Sequence, residues 1–75
     1  MFDYSKLIGR IIEKFDTRKA FAHAVGYSEN TISKKLSGKR PITTKDIKKW
    51  SSPDILDINH EDIQIYFFKV KVQAD

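Results

Sequence analysis

Five polar side chains between two helix-limiting residues hold the chain's densest hydrogen-bonding chemistry. Glu29, Asn30, Thr31, Ser33 and Lys34 follow Ser28 and precede Gly38. They offer a carboxylate, an amide, two hydroxyls and an ammonium, which suit recognition rather than bond-breaking. In a major groove, Asn pairs bidentately with adenine, Lys with the acceptors of guanine, and Glu accepts from the amino group of cytosine. Thr31 has a methyl to offer thymine. A plain solvated helix face has the same composition, so position decides what these groups do. No catalytic grouping accompanies them. There is no cysteine, the two histidines, His23 and His60, are far apart, and no glycine-rich phosphate loop exists. An enzyme is not expected, nor any cofactor or metal site.

The elements that must carry these groups can be read from caps and periodicity. Ser28 is a good N-cap, since its hydroxyl can accept from a free amide of the next turn. Gly38 is a good stop, because the residue past a helix end often takes positive φ. Ile32 and Leu36 share the inner face of this helix, read as 28–37. Upstream, Thr17, with Asp16 as the alternative, caps a helix whose apolar positions are Phe21, Ala22 and Val25. Gly26 breaks it. Two short helices around a glycine turn form a helix-turn-helix pattern.

The first helix is marked by Leu7, Ile8, Ile11, Ile12 and Phe15, one broad apolar stripe. Asp3 is its expected cap, and Lys6, Arg10 and Lys14 its solvated face. After Gly38, Pro41 keeps Arg40 out of helical geometry. Lys39 and Arg40 are then placed to straddle a nucleic-acid backbone, where phosphate contacts add affinity without reading sequence. Thr43 and Asp46 resemble a capping box that opens a fourth helix, and the hydroxyls and amides of Thr43 and Thr44 could hold a phosphate. Ile47 and Trp50 point inward. Pro53 opens a short turn of helix over 54–57, with Ile55, Leu56 and Ile58 closing the core. Asn59 begins a last helix through about Phe68. Its rival is a strand that pairs with a second subunit, because Phe68, Val70 and Val72 alternate with Lys69 and Lys71. Ile65, Tyr66, Phe67 and Phe68 exceed what one small core needs and are expected to meet a partner.

Phe21, Ala22, Val25, Gly26, Ser28, Ile32, Ser33 and Gly38 together resemble the pattern of phage repressor and Cro-type helix-turn-helix domains. The likeness covers about Phe2 to Ile58. The whole chain is also similar to very short phage proteins of the Cro and antirepressor type, through Tyr66, Phe67, Phe68 and Lys71, Val72, Gln73. One position departs. The common pattern has an apolar residue and then Glu where this chain has Lys35 and Leu36, so the end of the helix is expected to aim differently. The resemblance implies an all-α, compact four- to five-helix, lambda-repressor-like domain over 1–58, with a tail over 59–75 as partner interface. It implies a sequence-specific DNA-binding regulator that reads base edges with Glu29, Asn30, Thr31, Ser33 and Lys34. Phosphate contacts would come from Thr17 and Arg18 at a helix N-terminus, from Ser28 at the turn, from Lys39, Arg40, Thr43 and Thr44, and from the hydroxyl of Tyr27, whose ring is expected first of all to pack in the core where the family has an aliphatic residue. Two copies on a symmetric operator would form a homodimer on double-stranded DNA. The alternative is an antirepressor whose partner is a phage repressor protein, met by the basic face or by the aromatic tail.

The totals agree with a small regulator. Seventy-five residues make one domain with a small core. Between Lys34 and Lys49 the chain holds Lys34, Lys35, Lys39, Arg40, Lys45, Lys48 and Lys49 against the single acid Asp46. Asp54, Asp57, Glu61 and Asp62 follow with no lysine or arginine among them. A basic middle suits a polyanion, or is a solvated surface. No run approaches the ~20 apolar residues of a membrane span, and MFDYSKL lacks the apolar region of a signal peptide. A cytoplasmic protein without membrane contact is expected.

Overall fold

The computed structural model describes residues 2–70. The expectations placed on Lys71, Val72 and Gln73 lie outside them. Five α-helices follow in order: α1 (Ser5–Phe15), α2 (Arg18–Val25), α3 (Glu29–Leu36), α4 (Thr44–Trp50) and α5 (Ile63–Phe67). A 3-10 turn, His60–Asp62, leads into α5. The fold is all-helical, with no strand among the described residues beyond an isolated antiparallel bridge between Phe2 and Val70.

Local chemistry sets most helix ends. The Thr17 hydroxyl accepts from the Ala20 amide and caps α2, and Gly26 ends it at φ 82°. The Ser28 hydroxyl accepts from the Thr31 amide and caps α3. Gly38 takes φ 84° just beyond the Ser37 C-cap. Thr43 and Asp46 complete a reciprocal capping box at α4. At α1 the positional cap is Tyr4, but Asp3 Oδ1 accepts from both the Ser5 amide and its hydroxyl. α1 ends at Asp16, whose backbone has φ 67°.

The core joins Leu7, Ile11, Phe21, Ala22, Val25, Ile32, Leu36, Trp50, Leu56, Ile58 and Phe67. An aromatic file runs through it. Ring centroids stand 5.6 Å apart for Phe15–Phe21, 5.1 Å for Phe21–Trp50 and 6.3 Å for Trp50–Phe67. The file links α1, α2, α4 and α5, and Trp50 at its centre is fully buried.

Several expectations are corrected. The α1 stripe is wider than the face it buries: Leu7 and Ile11 are fully buried, while Ile12 is exposed. A stripe of adjacent pairs spans more of the helix circumference than α2 and α5 cover. Arg10 is not simply solvated. Its Nε donates to the Leu56 carbonyl at 2.9 Å and Nη2 to the Asp57 carbonyl at 3.0 Å, which tie α1 to the chain after α4. Residues 54–56 form a turn rather than helix, and Asp57 follows at φ 51°, with Leu56, Asp57 and Ile58 donating their amides back to Trp50, Ser52 and Ser51. Phe67, expected at a partner interface, is a core residue packed on Trp50. The tail does not extend as a strand through Phe68: α5 runs to Phe67, and the extended chain beyond meets its own N-terminus, with the Asp3 amide donating to the Lys69 carbonyl at 2.6 Å.

Candidate functional site

α2 and α3 pack on one another across the turn at Gly26–Tyr27–Ser28, and Ala22 of α2 is buried in the core with Ile32 of α3. The Tyr27 amide donates to the Ala22 carbonyl, which closes that turn. α3 buries Ile32, Lys35 and Leu36 and leaves Glu29, Asn30 and Lys34 exposed, with Thr31 and Ser33 half-buried. The five side chains singled out on α3 therefore all reach the surface, and Lys39 and Arg40 are exposed just beyond it. The amides of Lys39 and Arg40 both donate to the Lys34 carbonyl, at 2.9 and 3.2 Å. The basic loop is thus folded back onto the end of α3.

The hydroxyl residues have local duties. Ser28 donates its hydroxyl to Thr31 Oγ1 at 2.9 Å while accepting the Thr31 amide, so the two are paired. Thr17 and Thr43 accept amides as caps. Thr44 is exposed in the first turn of α4, and Arg18 is half-buried at the start of α2. The Tyr27 hydroxyl is not available to donate to a phosphate, because it donates to Asp46 Oδ1 at 2.5 Å. In the tail, Ile65 and Phe68 are exposed, Tyr66 is half-buried, and Phe2 stacks edge-on against Phe68 at 5.7 Å. Lys6 Nζ stands 5.5 Å from the Tyr66 ring.

Behind the α3 surface lies an ionic network that sequence reading missed. Lys35 Nζ pairs with Asp46 Oδ2 at 2.7 Å, with both side chains nearly excluded from solvent. Nζ also donates to the Pro41 carbonyl at 3.0 Å and sits 5.2 Å from the Tyr27 ring. Burial by itself would raise the Asp46 carboxyl. The hydrogen bonds from Lys35, Tyr27 and Thr43 outweigh it and hold the group below the usual carboxylate range. The same bond to Asp46, helped by burial and by the nearby negative charge, pushes the Tyr27 phenol up. A signal for this network was present. Lys35 stands three positions after Ile32, on the stripe that also carries Leu36, and Asp46 is the lone acid of its stretch.

With Lys35 and Asp46 neutralising each other, Lys34, Lys39, Arg40, Lys45, Lys48 and Lys49 remain exposed from 34 to 49 with no exposed acid among them. The exposed side chains of this stretch are therefore strongly cationic. Among the described residues no group of His, Asp and Glu is arranged to hold a metal. None of the described helices is long and apolar enough to cross a membrane.

A family model described as "Protein of unknown function (DUF739)" matches residues 1–70. The chain belongs to the DUF739 family. This DUF739 chain is similar to a solved structure, the solution structure of the modulator of repression (MOR) of the temperate bacteriophage TP901-1 from Lactococcus lactis. Identity is 43%, the match covers 96% of this chain and 95% of that one, and the TM-score is 0.78. No curated protein matches. The likeness to short phage proteins thus holds, and the family shown for this chain is DUF739.

Proposed function

We propose that this DUF739 chain is a phage regulator that acts by binding a repressor protein. The observation that carries this reading is the 43% identity, over nearly the whole of both chains, to a protein whose name is modulator of repression. Of the two roles the sequence left open, the antirepressor is the one this likeness favours. The chemistry of the basic stretch is compatible with it. Lys34, Lys39 and Arg40 stand next to the polar groups of α3 and suit an acidic patch on a partner, with Asn30 and Ser33 available for uncharged contacts. Exposed Ile65 and Phe68 are the second contact candidate.

Calorimetric titration of the full chain with the repressor encoded by the same phage tests this reading. A saturable complex is expected, weakened by Lys34→Ala and Arg40→Ala. A larger effect from Phe68→Ala would move the interface to the tail. Absence of any complex would defeat the proposal.

A second reading keeps duplex DNA as the partner. It is favoured by one observation: all five base-reading candidates on α3 reach the surface, flanked by exposed Lys39 and Arg40. Such binding would lose affinity steeply with salt and would suffer from Asn30→Ala. A gel-shift series on DNA flanking the gene, run at several salt concentrations, separates the two partners. A homodimer on that DNA belongs to this second reading alone.

A further inference from the structure

We infer that Lys35, Asp46 and Tyr27 form an internal latch that positions the basic loop for its partner, and that stability is not their main contribution. The inference rests on the reading of this surface as the partner-binding site. One carboxylate gathers three separate pieces of chain. Asp46 Oδ1 takes the Tyr27 hydroxyl from the α2–α3 turn. Its Oδ2 takes Lys35 Nζ from α3 and the Thr43 amide at the start of α4, at 2.7 and 3.0 Å. Lys35 Nζ then reaches the Pro41 carbonyl, at the far end of the loop.

The loop is consequently held at both ends. Its near end hangs on the Lys34 carbonyl through the amides of Lys39 and Arg40. Its far end is held by Lys35 and by the capping box. The side chains of Lys39 and Arg40 are exposed, and half-buried Ile42, packed against the core, is the loop's apolar contact. Apolar packing thus seats the loop at Ile42, and hydrogen bonds set the placement of Lys39, Arg40 and Pro41 before it. A buried ion pair is a poor source of net stability, because desolvating both charges offsets most of their attraction. It is a demanding source of geometry, since each buried charge accepts few arrangements of its partners. A partner that reads Lys34, Lys39 and Arg40 together needs their relative positions set before contact, or it must order them on binding.

The test replaces the pair by apolar residues of similar size, Lys35→Met with Asp46→Leu, in the full chain. Helical circular dichroism and a cooperative melt are expected to persist. Amide order parameters of Gly38, Lys39, Arg40 and Ile42 are expected to fall from rigid values of about 0.85 toward 0.6. Affinity for the cognate repressor is expected to drop about tenfold, as when only a tenth of the molecules hold the competent loop. Unchanged loop order would overturn the inference, and so would unchanged affinity where the wild type binds. If the wild type binds no repressor, the functional reading fails while loop order still decides the latch. Should the double variant not fold, Tyr27→Phe decides instead. It keeps the ion pair and removes one arm, and loop order identical to the wild type would refute the latch.

Discussion

The Asp46 carboxylate answers to three donors and spans the chain from the α2–α3 turn to the start of α4. Its acidity is therefore linked to folding. The folded group titrates below its unfolded value, so its contribution is complete above the unfolded range near pH 4 and is lost as pH falls through the folded value. Stability is expected to stay level down to about pH 5 and to decline below about pH 4. Urea melts across that range should show a shallower decline for the Lys35→Met, Asp46→Leu chain. Tyr27 works in the opposite direction. Its phenol titrates above its ordinary value, so its share is present below about pH 10 and lost at higher pH. Removing Asp46 alone would be harsher than removing both partners, since it would leave the Lys35 charge buried without a counter-ion.

At the scale of the elements, two glycines make opposite predictions. Gly9 lies inside α1, and a Cβ added there meets nothing within 4 Å. Gly9→Ala is expected to stabilise by about 0.5–1 kcal/mol, because alanine loses less backbone freedom in a helix. Gly26 also has open space around it, but its φ of 82° is what ends α2. Gly26→Ala is expected to destabilise by about 1–2 kcal/mol through backbone strain alone. Thermal melts of the two variants should shift in opposite directions, by about 4–8 °C per kcal/mol for a domain of this size. A fall for Gly9→Ala would refute the open space found beside it.

For the whole molecule, the aromatic file through Trp50 is the common brace of four helices. Its indole N–H has no hydrogen-bond partner among the described residues, so the side chain contributes through packing. Truncating such a residue costs about 3–5 kcal/mol, against a total of about 5 kcal/mol for a small domain. Trp50→Ala is expected to leave much of the chain unfolded at 25 °C, visible as lost helical dichroism. The charge distribution also acts at this scale. The formal net charge is +4, and the stretch from 34 to 49 is far more cationic than that total suggests. Association with an anionic partner should slow as salt rises past about 0.1 M, where screening shortens to about 10 Å, while dissociation changes less. Stopped-flow mixing with the repressor at graded salt checks this, and a salt-independent association rate would point to the apolar tail.

The helices, their caps and most of the core were legible because the interactions that set them are local. Thr17, Ser28 and the Thr43–Asp46 box each bond within a few residues, and the inward positions of α2 and α3 repeat at the helical period. The exposed polar face of α3 follows from the same repeat. Periodicity did not say how wide a face the neighbours would cover, so Ile12 was read inward and Phe67 outward, and both were reversed. Nor could it pair charges far apart in the chain. Lys35 and Asp46 read as one more surface cation and a cap, until folding placed them 2.7 Å apart beneath the loop. Side-chain chemistry along one helix is written in its own spacing. Which charges lose their water, and which end of the chain an extended segment meets, depends on how the helices stack, and only the tertiary structure decided that.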